Sequence, residues 1–445
     1  MFRSISEKFG VKTSQTKPAA RSRINVSGKT KQSGSQKKPP TAAPASTRPI
    51  HLKVDTLFFL SVVSLIVFGL IVVWSASYDF SKLIFDDSMH IFYRQLLVLA
   101  IGLVGMVFLA FFDYHRIKDY ALPAMIIVIV SLLLVLAFGD LRLGAKRTLL
   151  RGSLQPSEMA KMVMIVYLAV WLSSKKEKIN KITFGLIPMA VILGIVSSLI
   201  LLQPDLSAIF TIIFIGVVMF VLAGGDLRQI ALLLVLAGVL GWLAMVLYPT
   251  GAQRINEFVV GLLDPTKGSD HVRLSFSAFI NGGWFGVGLG NSEAKLVSLP
   301  VPHTDSVFAV VGEEFGMLGS LGLVGLFTLF LWRGLIISRR APDQMGALLA
   351  AGLTIWIAFE AFVNMAGMVN VMPFPGNALP FTSAGGSNLF VSLLAVGFIL
   401  NVSRQSVETE NKEGKIFGDV IDLRRRNRRG SVPRARRSAG VRRDR

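Results

Sequence analysis

The sequence has no cysteine among its 445 residues. Disulfides, thiolate nucleophiles and cysteine-ligated metals are therefore excluded, and the redox compartment is left open. Histidine is scarce, at five residues, and no His cluster has metal-site spacing. Charged residues make up only 17%, against roughly 25% in an ordinary soluble domain. Acids are almost missing from the ends. Residues 1–53 carry twelve Lys and Arg against Glu7 alone, and residues 424–445 carry eleven Arg against Asp444. These two ends account for the formal charge of +20 and leave the rest of the chain near neutral.

What is abundant is apolar residue. The chain is 52% hydrophobic with a mean hydropathy of +0.58, which excludes a soluble globular domain. Stretches long enough to cross a bilayer, roughly 20 residues each, recur along it. They lie near 55–75, 92–112, 119–138, 157–173, 183–202, 204–223, 228–248, 306–335, 344–367 and 379–402. The pattern predicts an all-α polytopic membrane protein of about ten transmembrane helices. Residues 54–402 form the membrane domain, flanked by basic tails over 1–53 and 403–445. Both tails are rich in Ser, Pro, Gly and basic residues and are expected to be disordered. Polybasic flanks of this kind read as cytoplasmic segments attracted to anionic lipids rather than as nucleic-acid binders.

Orientation follows from the short loops. Arg116 and Lys118, then Lys175, Lys176, Lys178 and Lys181, then Arg339 and Arg340, fall in alternate loops on the side of both tails. The positive-inside rule puts that side and both termini in the cytoplasm, which an even number of spans requires. No cleavable signal peptide is visible ahead of the first apolar run. Segments 77–91, 139–156 and 249–305 are then extracytoplasmic. The second carries Arg142, Lys146, Arg147 and Arg151 against the charge bias. Cations there suit an anionic ligand such as a phosphate, with outer-leaflet acidic lipid as the alternative. The third is long for an irregular connection, includes Arg254 and a glycine-rich run from Gly282 to Gly290, and reads as functional rather than connective. Its glycines lack the strand and helix of a dinucleotide fingerprint.

Three further segments concentrate polar groups at span ends. Gln155 to Lys161 opens the fourth span. Pro156 suits its first turn, and Glu158 and Lys161, three apart, share a face and can pair. Gln203-Pro204-Asp205 divides the fifth and sixth spans, with Asp205 as a cap or a cavity residue. His303, Thr304 and Asp305 stand directly before an apolar run that also holds Glu313 and Glu314. Ionisable groups at membrane depth cost roughly 3 kcal/mol or more each, so a purpose is expected. On spacing alone, Thr304 or Asp305 caps the following helix or Asp305 does chemistry, and both readings stand. Residues 372–387 form a Pro- and Gly-rich segment that dips in before the last span, which irregular backbone does only where it lines a cavity or is buried.

Gly144-Ala-Lys-Arg147, Gln155-Pro-Ser-Glu-Met-Ala-Lys161, Gln203-Pro-Asp-Leu206, His303-Thr-Asp305 with Gly312-Glu-Glu-Phe-Gly316, and Leu379-Pro380-Phe-Thr-Ser383-Ala-Gly385-Gly386-Ser387 occur in this order. The series resembles the signature motifs of the SEDS family (shape, elongation, division and sporulation), which includes FtsW and RodA, over residues 55–402. The chain departs from that pattern at Thr148, Leu274, Ser306 and Ala384, where relatives commonly carry Trp, Gln, Phe and Tyr, and the loop after Arg147 is shortened.

The resemblance implies a ten-span glycosyltransferase that polymerises lipid II outside the plasma membrane, with a class B penicillin-binding protein as partner. It implies Asp305 as the catalytic residue and Glu158 with Lys161 as paired charges beside the cavity. The chemistry is consistent. An α-linked sugar pyrophosphate becoming a β-linked polymer needs one inverting displacement, with Asp305 as general base for the acceptor hydroxyl. Lys146, Arg147, Arg254, His303 and Thr304 are then candidates to bind substrate and pyrophosphate, and a divalent cation (magnesium or manganese) is a candidate to assist. Gln203, Asp205, Glu313, Glu314, Pro380, Ser383, Gly385 and Gly386 are the remaining motif positions. The long tails suggest a member acting with divisome proteins at the septum. A lipid-linked sugar flippase and a non-catalytic transpeptidase scaffold are the alternatives.

Overall fold

The computed structural model describes residues 54–142, 145–148, 155–175, 179–297 and 303–427, with the backbone alone for 140–142, 145–148, 243–245, 247, 249, 265, 296–297 and 408–427. Seven helical stretches are long and apolar enough to cross a membrane. They are α1 (Thr56–Phe85), α2 (His90–Phe111), α3 (Ile117–Phe138, with a preceding 3-10 turn), α4 (Pro156–Ser174), α12 (Gly316–Arg339), α13 (Gln344–Met368) and the start of α14 (Gly386–Asn427). Three shorter apolar helices, α5 (Leu186–Leu201), α6 (Leu206–Leu222) and α7 (Leu227–Leu247), occupy the other three predicted stretches. This is the multi-pass helical architecture that the hydropathy implies. A two-stranded antiparallel hairpin is added, β1 (Asp140–Arg142) and β2 (Ala145–Thr148), pairing Leu141 with Lys146.

α13 is the centre of the bundle, packing on α4, α6, α12 and α14. Small residues allow that closeness, as expected where lipid supplies no hydrophobic drive between helices. A side chain at Gly352 would meet Ile165 of α4 at 2.7 Å. α2, α3 and α12 keep most of their apolar surface exposed, as lipid-facing helices do.

The structure redraws four boundaries. The eighth predicted span, 306–335, is two helices: α11 (Val307–Glu314), buried along its whole length, and α12, which begins after a break at Phe315–Gly316. Gly316 has φ 68° at that break, and a side chain there would strike Trp284. At 24 residues α12 spans by itself. Segment 249–305 is largely helical: α8 (Pro249–Leu263), α9 (Asp270–Gly282) and α10 (Ala294–Val297). Its helix signals are local, Pro249 at the first turn of α8 and Ser269 accepting from the Val272 amide as cap of α9. Most of segment 77–91 belongs to α1 and α2, leaving a short connection. The last helix starts at Gly386, later than the predicted 379, and continues to Asn427 through residues assigned to a disordered tail. Glu, Lys and Arg propagate a helix once a packed segment has nucleated it. Residues 1–53 and 428–445 lie outside the described residues.

Candidate active site

One cavity of about 730 Å³ lies where the helix ends of one side converge. It is lined by the last turn of α1, the first turns of α2, α4, α6 and α14, residues 303–305, and the segment between α13 and α14. Because α1 and α13 run toward this end and α2, α4, α6 and α14 run away from it, all of these ends lie on one side of the bundle. Gathering span ends also gathers polar groups, because short polar connections sit there in each segment.

Asp305, Thr304 and His303 line this cavity. The helix that follows, α11, begins at Val307 with Ser306 as its cap residue, whose side chain makes no capping bond. The Asp305 carbonyl accepts from Asn364 Nδ2 at 3.1 Å. On either side, Ser383 Oγ donates to the Thr304 carbonyl at 2.7 Å and the Ala384 amide to the His303 carbonyl at 2.8 Å. Ser383 also accepts from the Leu379 amide, and its own carbonyl takes Gln95 Nε2 at 2.9 Å. The irregular 371–385 segment is thus a clamp for the His-Thr-Asp loop, buried in protein where irregular backbone at membrane depth survives. His303 is buried against Phe80, ring centroids 4.4 Å apart, and that burial lowers its pKa to about 4. Its imidazole is neutral near pH 7.

Opposite stands a buried ionic cluster. Lys161 Nζ lies 2.8 Å from Glu158 Oε1 and 2.5 Å from Glu360 Oε1, and Lys161 is 3% exposed. Asn388 Nδ2 donates to Glu158 Oε2 at 3.1 Å, tying α14 to α4. Two carboxylates on one ammonium keep Lys161 engaged, so the cation serves the cavity wall rather than an incoming anion. Asp205 caps α6 by accepting from the Ala208 amide and also accepts from Ser157 Oγ at 3.1 Å, so it both caps and lines the cavity. Arg254 donates to the Pro375 carbonyl at 2.8 Å with its guanidinium on the cavity wall. Gly385 and Gly386 line it as well.

Other predicted positions fall elsewhere. Gln203 donates to the Leu132 carbonyl beside the cavity, and the Pro380 carbonyl accepts from the Thr382 amide within the clamp. Glu313 and Glu314 are buried away from the cavity. Glu313 accepts from Ser292 Oγ and the amides of Glu293 and Ala294, and Glu314 from Ser75 Oγ and Lys295 Nζ. They anchor the glycine-rich segment, whose Val287 and Gly288 amides pair with the Glu313 and Glu314 carbonyls. Lys146 and Arg147 lie on β2, which packs against α3 and α4. Their side chains, and Arg151 altogether, are outside the described residues.

The cavity also holds groups that the motifs did not nominate: His90, Arg94, His271, Glu360, Asn377 and Asn388. Glu360 carried a readable signal, a lone carboxylate inside an apolar run. His271 carried none. Its Nδ1 lies 2.9 Å from Ser306 Oγ, and its pKa is lowered by burial and then by the neighbouring Arg254. Among the described residues no three His, Asp or Glu side chains converge as metal ligands, and Glu158 and Glu360 are committed to Lys161.

The family profile described as "Cell cycle protein", covering FtsW, RodA and SpoVE, matches residues 55–408. The probable peptidoglycan glycosyltransferase FtsW of Trichlorobacter lovleyi is 36% identical over 366 residues, 80% of this chain and 95% of that one. Stage V sporulation protein E of Bacillus subtilis is 37% identical over 360 residues, 79% and 97% of the two chains. Among solved structures, RodA of Thermus thermophilus aligns with TM-score 0.59 at 27% identity, covering 80% of this chain and 99% of RodA. A chain from the study "Structural coordination of polymerization and crosslinking by a peptidoglycan synthase complex" aligns with TM-score 0.65 at 27% identity, covering 79% and 98%. With residues of four of its motifs lining one cavity and its length matched throughout the membrane domain, the chain belongs to the FtsW/RodA/SpoVE (SEDS) family, as an FtsW-like peptidoglycan glycosyltransferase.

Proposed function

We propose that this cavity polymerises lipid II on the outer face of the plasma membrane during cell division, with Asp305 as general base. The observation that carries the reading is that Asp305 shares one polar, membrane-edge cavity with Arg94, Arg254 and the buried Glu158–Lys161–Glu360 cluster. The acceptor sugar hydroxyl gives its proton to the Asp305 carboxylate as its oxygen attacks the anomeric carbon. The bond from that carbon to the pyrophosphate oxygen breaks with inversion, and the electron pair leaves with undecaprenyl pyrophosphate. Pyrophosphate is already a good leaving group, so fixed cations matter more than a general acid. Arg254 and Arg94 supply that charge from the cavity wall, and Lys146 and Arg147 of the hairpin are further candidates for it. The Glu158–Lys161–Glu360 cluster fixes the wall, and His303 stays neutral beside Asp305.

The partner on this reading is a class B penicillin-binding protein. The structural neighbour from a complex that coordinates polymerization with crosslinking supports it. Anionic lipid is the expected partner of the basic tails. Purified protein supplied with lipid II tests the mechanism: Asp305→Ala is expected to abolish polymer while remaining folded. Wild-type polymerisation by that variant would overturn it and return the flippase and scaffold readings to first place.

A further inference from the structure

The clamp and Asn364 hold the main chain of the His-Thr-Asp loop as far as the Asp305 carbonyl. The next residue, Ser306, is fully buried and is held from a different direction. Its Oγ lies 2.9 Å from Nδ1 of His271, in the first turn of α9. A Phe at this position, as relatives commonly carry, could not make that bond. His271 is itself fixed. Its ring stacks on Phe374 of the clamp with centroids 4.2 Å apart, and its carbonyl accepts from Ser275 Oγ at 2.6 Å. Beside it, Arg254 of α8 donates to the Pro375 carbonyl. α9 also lies hard against α11. A side chain at Gly282 would come within 2.1 Å of the Gly312 carbonyl, so the two helices have little room to slide. His271 therefore closes a ring of contacts that runs from the clamp through Thr304, Asp305 and Ser306 and back to Phe374.

From this we infer that His271 is a positioning residue for the reaction: it fixes Ser306, and through Ser306 the Asp305 base. The inference rests on the polymerase reading above. A base must stand within hydrogen-bond reach of the hydroxyl it deprotonates, and a misplacement of about 1 Å costs on the order of 10²-fold in rate. The clamp secures the loop before Asp305. His271 secures the residue after it, where the loop turns into α11, and it does so from α9 rather than from a span.

Kinetics with purified protein and lipid II separate positioning from packing. His271→Phe keeps the stack on Phe374 and deletes Nδ1, and Ser306→Ala deletes the hydroxyl. Each is expected to lower kcat about tenfold, the worth of one hydrogen bond, with KM within about twofold of the wild type. The double variant is expected to lose no more than either single one, because both remove the same bond. His271→Asn, which returns a polar atom near the place of Nδ1, is expected to recover kcat to within about threefold of the wild type. An unchanged kcat in His271→Phe, or losses that multiply in the double variant, overturns the inference. A second measurement needs no polymer. Hydrogen exchange at the amides of residues 303–309 is expected to be about tenfold faster in His271→Phe, with α9 beyond its first turn unchanged. Equal exchange in the two proteins also overturns it. Should the wild type form no polymer at all, the mechanism at Asp305 falls, and the exchange result alone decides whether His271 holds the loop.

Discussion

Two buried clusters in this molecule each set acids against one lysine whose side chain is 3% exposed, two glutamates at Lys161 and Glu314 with Asp79 at Lys295, and they have different consequences. Around Lys161, the carboxylates come from α4 and α13, the partners are mostly other side chains, and the cluster faces a large cavity. Around Lys295, Glu314 and Glu313 are met by hydroxyls, a lysine and two backbone amides from the connection before α11, and neither lines the cavity. The first arrangement leaves a charged wall beside open space. The second uses the same chemistry as a fastening, holding the glycine-rich segment against the α11–α12 break. Buried charge alone therefore does not mark an active site. What marks it is buried charge with a cavity in front.

The sharpest way to break the comparison is at the cavity. Asp305→Asn should lower polymerisation by about 10²–10⁴-fold, the usual worth of a general base, with the melting temperature almost unchanged. A lipid II assay beside a thermal melt reads both. Lys161→Met removes the ammonium and leaves Glu158 and Glu360 uncompensated. It should cost about 3–5 kcal/mol of stability, and adding Glu360→Gln should recover part of the loss in the same melt. At the fastening, Gly286→Ala forces a side chain to φ 81° and within 2.2 Å of the Glu314 carbonyl. It should cost about 1–3 kcal/mol, with the lesion in the glycine-rich segment visible by limited proteolysis.

His303 gives a smaller, pH-dependent effect. Its folded pKa of about 4 lies below the ordinary 6.5, so the unfolded chain binds the extra proton first. Its contribution to stability is intact above pH 6.5 and is lost progressively as pH falls toward 4. His303→Gln should flatten that part of the stability–pH curve, and equal slopes for the two proteins would remove the assignment. The smallest effect lies at the other end of the bundle. Asp113 is held down to about 2, chiefly by the backbone hydrogen bond from His115. It is largely exposed, so Asp113→Asn should cost under about 1 kcal/mol at neutral pH. Because the carboxylate is favoured in the folded state, that contribution is present above pH 3.8 and fades as pH falls toward 2.

Much of the fold could be read from the chain because apolar length is a one-dimensional property, and a bilayer makes helices the economical way to satisfy the backbone. Each of the ten apolar stretches is occupied by helix, the eighth by both α11 and α12, and Pro156 starts α4 where its fixed φ suits a first turn. Three misreadings share one cause. The 306–335 run, the helices of 249–305 and the extension of α14 all depend on contacts or local caps that hydropathy does not register. A uniformly apolar run does not reveal that Gly316 is pinned against Trp284, so the break between α11 and α12 was hidden. At the site, the motif residues were nominated one by one, but capping and chemistry at Asp305 could not be separated by spacing. The structure adds their place: the helix starts at Val307, after Ser306, and Asp305 lies on the cavity wall.

The sequence by itself determined that this is a multi-pass helical membrane protein with charged motifs at span ends, because apolar length, loop charge and motif order are all written along one strand of residues. Only the tertiary structure decided which charges share a space. Glu360 and Arg94 joined Asp305 in the cavity, and Glu313 and Glu314, eight and nine residues from it in the chain, did not. The physical reason is that proximity between residues on different helices comes from how the helices pack. A carboxylate becomes part of a site or part of a joint according to what stands within a few ångströms of its oxygens.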